Sequence, residues 1–153
     1  TDVYAGRVMK PPYVIKPIGE GSSVGVYIVM DENSPLPSLQ EWPFEDKVLI
    51  EHYIPGREIR VAVLGGKAFG AIEIRPHSGF YDYEAKYTEG KAIHLMPSPI
   101  HPVAYAQVLD WAEKAHAALE CSGVSRSDFR YDDTQGEPGS LYYLETNPQP
   151  GLT

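Results

Sequence analysis

VSRSDFRYDD, residues 124–133, and SLYYLETN, residues 140–147, decide how the rest of the chain is read. Successive side chains of a strand point to opposite faces, so Arg126, Asp128 and Arg130 share one face of the first arm, Val124 to Asp133. The same period puts Leu141, Tyr143, Glu145 and Asn147 on one face of the second arm, Ser140 to Gly151. DTQGEPG, residues 133–139, has the Gly and Pro content of a turn, which predicts an antiparallel hairpin. A register that brings the polar ends together gathers an Arg, two carboxylates and an amide on one patch of sheet. Oxygen donors of that kind suit a hard cation such as Mg²⁺, which shares its shell with phosphate oxygens. A solvated strand face gives the same alternation, and the residues by themselves leave both readings open.

Just before the hairpin, His101 to Ser122 reads as the one long helix, with Pro102 in its first turn and Gly123 as its stop. Its apolar stripe runs through Tyr105, Val108, Leu109, Ala112, Ala115 and Leu119, with Trp111 at its flank. His116 has no partner at ligand spacing and reads as an ordinary helix residue, and Cys121 as buried filler. Pro76 to Met96 predicts a loop of about twenty residues, a length that tends to belong to a lid. Its FYDYEAKY stretch, residues 80–87, is rich in tyrosine. Further back, Arg57 to Leu64 and Lys67 to Arg75 flank Gly65-Gly66 and predict a second hairpin. Glu58 lies at the start of its first strand, where a carboxylate is ordinarily solvated.

The N-terminal part has a different grammar. Tyr13 to Lys16, the Gly/Ser loop IGEGSSVG at 18–25, and Val24 to Met30 predict a strand, a tip and a strand. Such a loop offers backbone N–H groups to phosphate oxygens, and it is also an ordinary turn. It lacks the ending of a Walker A loop, and Lys16 precedes it on a strand. Pro35, Pro37 and Pro43 limit any helix in 31–46, Lys47 to Glu51 reads as a strand, and Pro55-Gly56 marks a boundary between lobes. The expected class is α+β: a small α/β lobe over 1–53 and a larger lobe over 54–153, built of antiparallel strands with one main helix.

A chain of 153 residues with 14 glycines, 14 prolines and 42% hydrophobic residues has the composition of a globular protein with many turns. The formal net charge of −8 argues against a nucleic-acid or anionic-membrane partner but leaves room for a small phosphate ligand. The single cysteine rules out an intrachain disulfide, so a reducing, cytoplasmic setting is expected. No apolar run has the length of a membrane span, and no signal peptide is visible. The chain opens at Thr1 and closes at Thr153, three residues after Pro150, and reads as a piece of a larger protein.

In their order, VIKPIGEGSSVGV (14–26), VLIEHYIPGRE (48–58), FYDYEAKY (80–87), SRSDFRYD (125–132) and LETNPQPGLT (144–153) resemble the D-alanine–D-alanine ligase family of the ATP-grasp fold. The resemblance covers about a third of the chain, and its specificity lies in the ordered set. It implies a nucleotide bound between the two lobes, with Lys16 on the phosphates and the loop of Ser22 and Ser23 closing over them. Glu51, His52, Tyr53 and Ile54 would hold the adenine, partly through backbone groups, and Glu58 the ribose hydroxyls. Lys86 would reach the phosphates, and Tyr87 would close the lid onto the site through Ser22. Asp128, Glu145 and Asn147 would hold two Mg²⁺ ions, with Mn²⁺ as an alternative. Arg126 and the backbone at Gly151 would stabilise an oxyanion, while Arg130 gains no role and reverts to a solvated or structural residue.

The reaction so implied is ATP-dependent joining of two D-alanines through an acylphosphate, for peptidoglycan precursors, in a cytoplasmic homodimer. Tyr87 after Lys86 favours D-alanine over the relatives that form depsipeptides. The alternatives are the same chemistry on D-serine, D-lactate or another amino acid, and a non-catalytic nucleotide- or metal-binding module. Family parts before Thr1 and after Thr153 complete the substrate pocket, so the 153-residue piece alone is expected not to ligate D-alanine.

Overall fold

The computed structural model describes residues 9–19, 25–36, 47–76 and 92–150. The chain divides into two units, Thr1–Tyr53 and Ile54–Thr153. In the first, β1 (Tyr13–Pro17) pairs antiparallel with both β2 (Tyr27–Val29) and β3 (Val48–His52). Alternation sends Tyr13 and Ile15 to one side, where they form a small core with Val29, leaving Val14 and Lys16 on the other. The prolines at 37 and 43 lie outside the described residues. At 31–34 the chain makes a turn in which Asp31 Oδ1 accepts from the Asn33 N–H at 2.8 Å.

The second unit is one five-stranded antiparallel sheet with a helix on one face. Its strands are β4 (Arg57–Leu64), β5 (Lys67–Pro76), β6 (Ala92–Leu95), β7 (Val124–Asp132) and β8 (Ser140–Asn147), in the order β6-β5-β4-β7-β8. The helix α1 (Pro102–Ala118) packs on β4, β5, β7 and β8. Gly65 and Gly66 both have positive φ, 55° and 80°, the conformation that a two-residue turn matched to the strand twist requires. Ile59, Val61, Val63, Ala71, Phe129 and Tyr131 point from the sheet toward α1, which answers with Ala104, Val108 and Ala112. Val61, Val63, Val108 and Phe129 are wholly excluded from solvent. Burial of each such side chain contributes about 1.5–3 kcal/mol.

His116 and Glu73 sit within this apolar layer, each with partners. His116 follows Ala104, Val108 and Ala112 at four-residue steps, so helix geometry carries it inward, and its Nδ1 lies 2.8 Å from the Ser125 hydroxyl. Ser125→Ala leaves a buried ring nitrogen unpaired and is expected to cost about 1–3 kcal/mol in a denaturant titration. Glu73 is 1% exposed on the same face. Its carboxylate takes both Nε and Nη2 of Arg75, and Arg57 Nη1 at 3.4 Å. Arg57 also binds the Pro99 carbonyl at 2.9 Å and the Asp133 carboxylate, and lies 5.3 Å over the Tyr131 ring. Burial works against charge on Arg57, but Asp133 and Glu73 outweigh it and hold the guanidinium above its ordinary range.

Four expectations are corrected. The helix ends at Ala118 rather than Ser122, because Glu120 takes the left-handed conformation (φ 52°) expected of Gly123. The Glu120 N–H then bonds Ala117 O at 3.1 Å and the Cys121 N–H bonds His116 O at 3.0 Å, the two bonds of a Schellman end. Leu119, counted in the apolar stripe, lies beyond that end and is 57% exposed, and Cys121 is only half-buried. Within the span expected to be a loop, Ala92–Leu95 forms the edge strand β6, because β5 runs on to Pro76 and offers it a free edge.

Candidate active site

The sheet face turned away from α1 gathers the charged residues of β4, β7 and β8. Arg60 pairs with Asp128 across β4 and β7, Asp128 with Glu145 across β7 and β8, and Arg126 with Asn147 on the neighbouring rung. Glu58 precedes Arg60 by two residues and shares its face. The hairpin read from the sequence therefore forms in the register that brings its polar ends together.

A bulge decides how far that face extends. The register slips between Asp128 and Phe129, so Phe129 pairs with Tyr143 and Leu144 has no opposite number. This corrects the expectation that Leu141, Tyr143, Glu145 and Asn147 share one face. Glu145 and Asn147 stay with Asp128, while Tyr143 and Leu141 turn to the helix side. Tyr143 meets Phe129 edge-on at 5.6 Å and donates to Thr146 Oγ1 at 2.9 Å, and Leu141 packs against the core. Thr146 in turn lies 2.7 Å from the Ser127 hydroxyl.

Charges on the open face alternate. Asp128 is 8% exposed, and Arg126 grips it with two parallel bonds, Nε to Oδ1 at 2.7 Å and Nη2 to Oδ2 at 3.0 Å. Arg60 Nη2 donates to Glu58 Oε1 at 2.8 Å, and Arg60 Nε lies 3.7 Å from Asp128 Oδ2. Burial opposes charge on Arg126, but Asp128, with Glu145 and Glu58 adding to it, holds the guanidinium above its ordinary range. Arg60 escaped the sequence reading, although its place two residues after Glu58 was the available signal.

Among the described residues no three His, Cys, Asp or Glu side chains form a group that could hold a metal ion. The set here is instead two carboxylates and a carboxamide on adjacent rungs, all hard oxygen donors, which fits Mg²⁺ sharing its shell with phosphate. Asn147 Oδ1 already accepts from the Gln149 N–H at 2.8 Å, which fixes the amide's direction.

Arg130 has a structural place. It is 9% exposed and donates Nε to Ile54 O at 3.1 Å and Nη2 to Gly56 O at 2.8 Å, tying down the turn that feeds β4. The adenine-holding expectation on Ile54 thus meets a carbonyl that already has one donor. In the first unit, Lys16 Nζ lies 2.7 Å from Glu51 Oε2, because Val14 pairs with Glu51 and puts Lys16 diagonally across from it. His52 is exposed, and the Tyr53 N–H bonds Pro12 O at 3.2 Å. Ser22, Ser23, Lys86, Tyr87 and Gly151 lie outside the described residues.

The three-stranded antiparallel sheet of one unit and the five-stranded, helix-backed sheet of the other define an α+β protein of ATP-grasp fold. Residues 5–153 match the family described as D-ala D-ala ligase C-terminus, and the chain belongs to that family. It is 56% identical over 144 residues to the D-alanine–D-alanine ligase of Paramagnetospirillum magneticum, a match covering 93% of this chain and 47% of that protein. Among solved structures it resembles the Bacillus anthracis D-alanine–D-alanine ligase complexed with ATP, at 33% identity and a TM-score of 0.66, over 94% of this chain and 45% of that one. It also resembles the VanG D-Ala:D-Ser ligase of Enterococcus faecalis, at 30% identity and a TM-score of 0.72, over 99% of this chain and 44% of that one. The chain spans about half the length of the curated relatives it matches.

Proposed function

We propose that the whole protein is an ATP-dependent ligase that joins two D-alanines into the dipeptide used in peptidoglycan precursors. The observation that carries this reading is the rung arrangement, in which Asp128 faces Glu145 and Arg126 faces Asn147 on a face shared with Glu58. It is supported by relatives named D-alanine–D-alanine ligase at about half identity and by a relative whose structure holds ATP. A carboxylate oxygen of the first D-alanine attacks the γ-phosphorus, and the bond to the bridging oxygen of ADP breaks. The amino nitrogen of the second D-alanine then attacks the acyl carbon, phosphate leaves with the bonding pair, and the nitrogen loses a proton.

The residues divide this work. Glu58 receives the ribose hydroxyls, and Glu51 to Ile54 hold the adenine. Lys16, Lys86 and the loop of Ser22 and Ser23 supply cations and donors to the phosphates, with Tyr87 closing the lid through Ser22. Asp128, Glu145 and Asn147 would hold two Mg²⁺ ions, which when bound offset charge on the phosphoryl oxygens. Arg126, with the backbone at Gly151, offsets the oxyanion on the attacked carbonyl. No helix among the described residues is long and apolar enough to cross a membrane. We place the full-length protein in the cytoplasm, where its ATP is, as a homodimer.

Release of ADP by the full-length protein, followed with D-alanine, D-serine or D-lactate as second substrate, tests the reading. D-alanine is expected to give the highest kcat/KM, with D-alanyl-D-alanine identified by mass. The likeness to VanG makes D-serine the competing result. ADP release that stays at background with all three would contradict ligation of this class.

A further inference from the structure

Arg126 presents a conflict on the open face. Both oxygens of Asp128 are taken by its guanidinium, at 2.7 and 3.0 Å. The function proposed above requires Asp128 to turn an oxygen to a cation and requires Arg126 to face a developing oxyanion. Arg126 occupies about two of the four lone-pair sites of this carboxylate, so the conflict is one of charge: a divalent cation at Asp128 repels the guanidinium, and loading the site is expected to loosen this grip. Asp128 would then lose a partner for a largely buried carboxylate oxygen, which is costly unless another donor takes it.

One donor stands ready. Arg60 Nε is buried and has no hydrogen-bond partner, and it lies 3.7 Å from Asp128 Oδ2 on the adjoining rung. The other end of the same guanidinium is anchored, since Nη2 binds Glu58 Oε1 at 2.8 Å. A short shift of Arg60 or of the Asp128 carboxylate converts the 3.7 Å approach into a hydrogen bond, for which about 3 Å is required. We propose that Arg60 is a positioning residue that takes over Asp128 Oδ2 from Arg126 when cation and nucleotide bind. Through Glu58 it also ties the ribose end of the site to the cation end. A buried polar nitrogen without a partner is otherwise a standing cost, and this role gives it one.

The inference rests on the proposed nucleotide site, and its test separates the two. Binding of Mn²⁺ with a non-hydrolysable ATP analogue is measured by calorimetry on the full-length protein, for wild type, Arg60→Met and Arg60→Lys. Met keeps the apolar stem and removes every donor, while Lys keeps one cationic donor. Loss of a partner that orients a metal ligand is expected to weaken binding about tenfold or more in Arg60→Met, with Lys recovering part of it. Thermal unfolding of the same samples checks folding, and should Met unfold, Arg60→Gln replaces it in the comparison. Dissociation constants for Arg60→Met or Arg60→Gln within about twofold of wild type would overturn the inference, as would equal loss in Lys and Met. Ligation of D-alanine by wild type is scored separately. Its absence, with the binding defect of Arg60→Met intact, would refute the substrate and leave the role of Arg60 standing.

Discussion

Glu145→Gln in the full-length protein is expected to lower ADP release and dipeptide formation by about a thousandfold or more while leaving the fold intact. The side chain is exposed on the outer strand β8 and opposes Asp128, so the change removes a charge without opening a cavity. An isosteric amide keeps the carbonyl oxygen but withdraws one of the two carboxylates that fit a hard cation. Stabilisation of charge by a bound cation in phosphoryl transfer is worth several kcal/mol, and each 1.4 kcal/mol is a factor of ten in rate. Stability should change by no more than about 0.5 kcal/mol, the usual range for a surface substitution. Unchanged dipeptide formation would favour the non-catalytic binding module that the sequence also allowed.

The second large effect concerns folding. Gly56 has a φ of 89°, and a Cβ placed on it would stand 2.2 Å from Tyr131 O and 2.9 Å from Asp132 Cα. Both atoms are backbone of β7, which is held by β4 on one side and β8 on the other, so neither can yield cheaply. Arg130 pins the same turn through the carbonyls of Ile54 and Gly56. Gly56→Ala therefore combines a strained backbone with a steric overlap, and a loss on the order of 3–5 kcal/mol is expected in a denaturant titration. Because the turn delivers Glu58 to its rung, whatever protein folds should also bind the ATP analogue more weakly. A loss under about 1 kcal/mol would mean that the turn relaxes freely, against the contacts seen here.

Much of this was legible in the chain. Strands β4 and β5 announce themselves by β-branched alternation around Gly65-Gly66, and β7 and β8 by theirs around DTQGEPG. Period-two reading also put Arg126 and Asp128 together correctly, because no irregularity intervenes between them. It failed at Tyr143 because a bulge adds one residue to β8 and reverses every side chain beyond it, and no residue type there signals a bulge. The helix end was misplaced for a related reason. Gly123 does have a positive φ, 72°, but Glu120 takes the left-handed conformation three residues earlier and ends the helix there, with the bonds to Ala117 and His116. Arg60, Glu73 and Arg130 are charged residues that strand pattern alone assigns to water. Their roles come from partners distant in sequence, Asp128, Arg57 and Ile54 respectively, which only the sheet order brings near.

The central claim is that Asp128, Glu145 and Asn147 form a cation site for nucleotide phosphates. Anomalous diffraction at the manganese edge, from crystals of the full-length protein grown with Mn²⁺ and a non-hydrolysable ATP analogue, tests it most directly. Anomalous peaks are expected within about 2.5 Å of side-chain oxygens of all three residues and of phosphate oxygens. Nucleotide bound with its manganese peaks elsewhere, and with Arg126 still closed on Asp128, would contradict it.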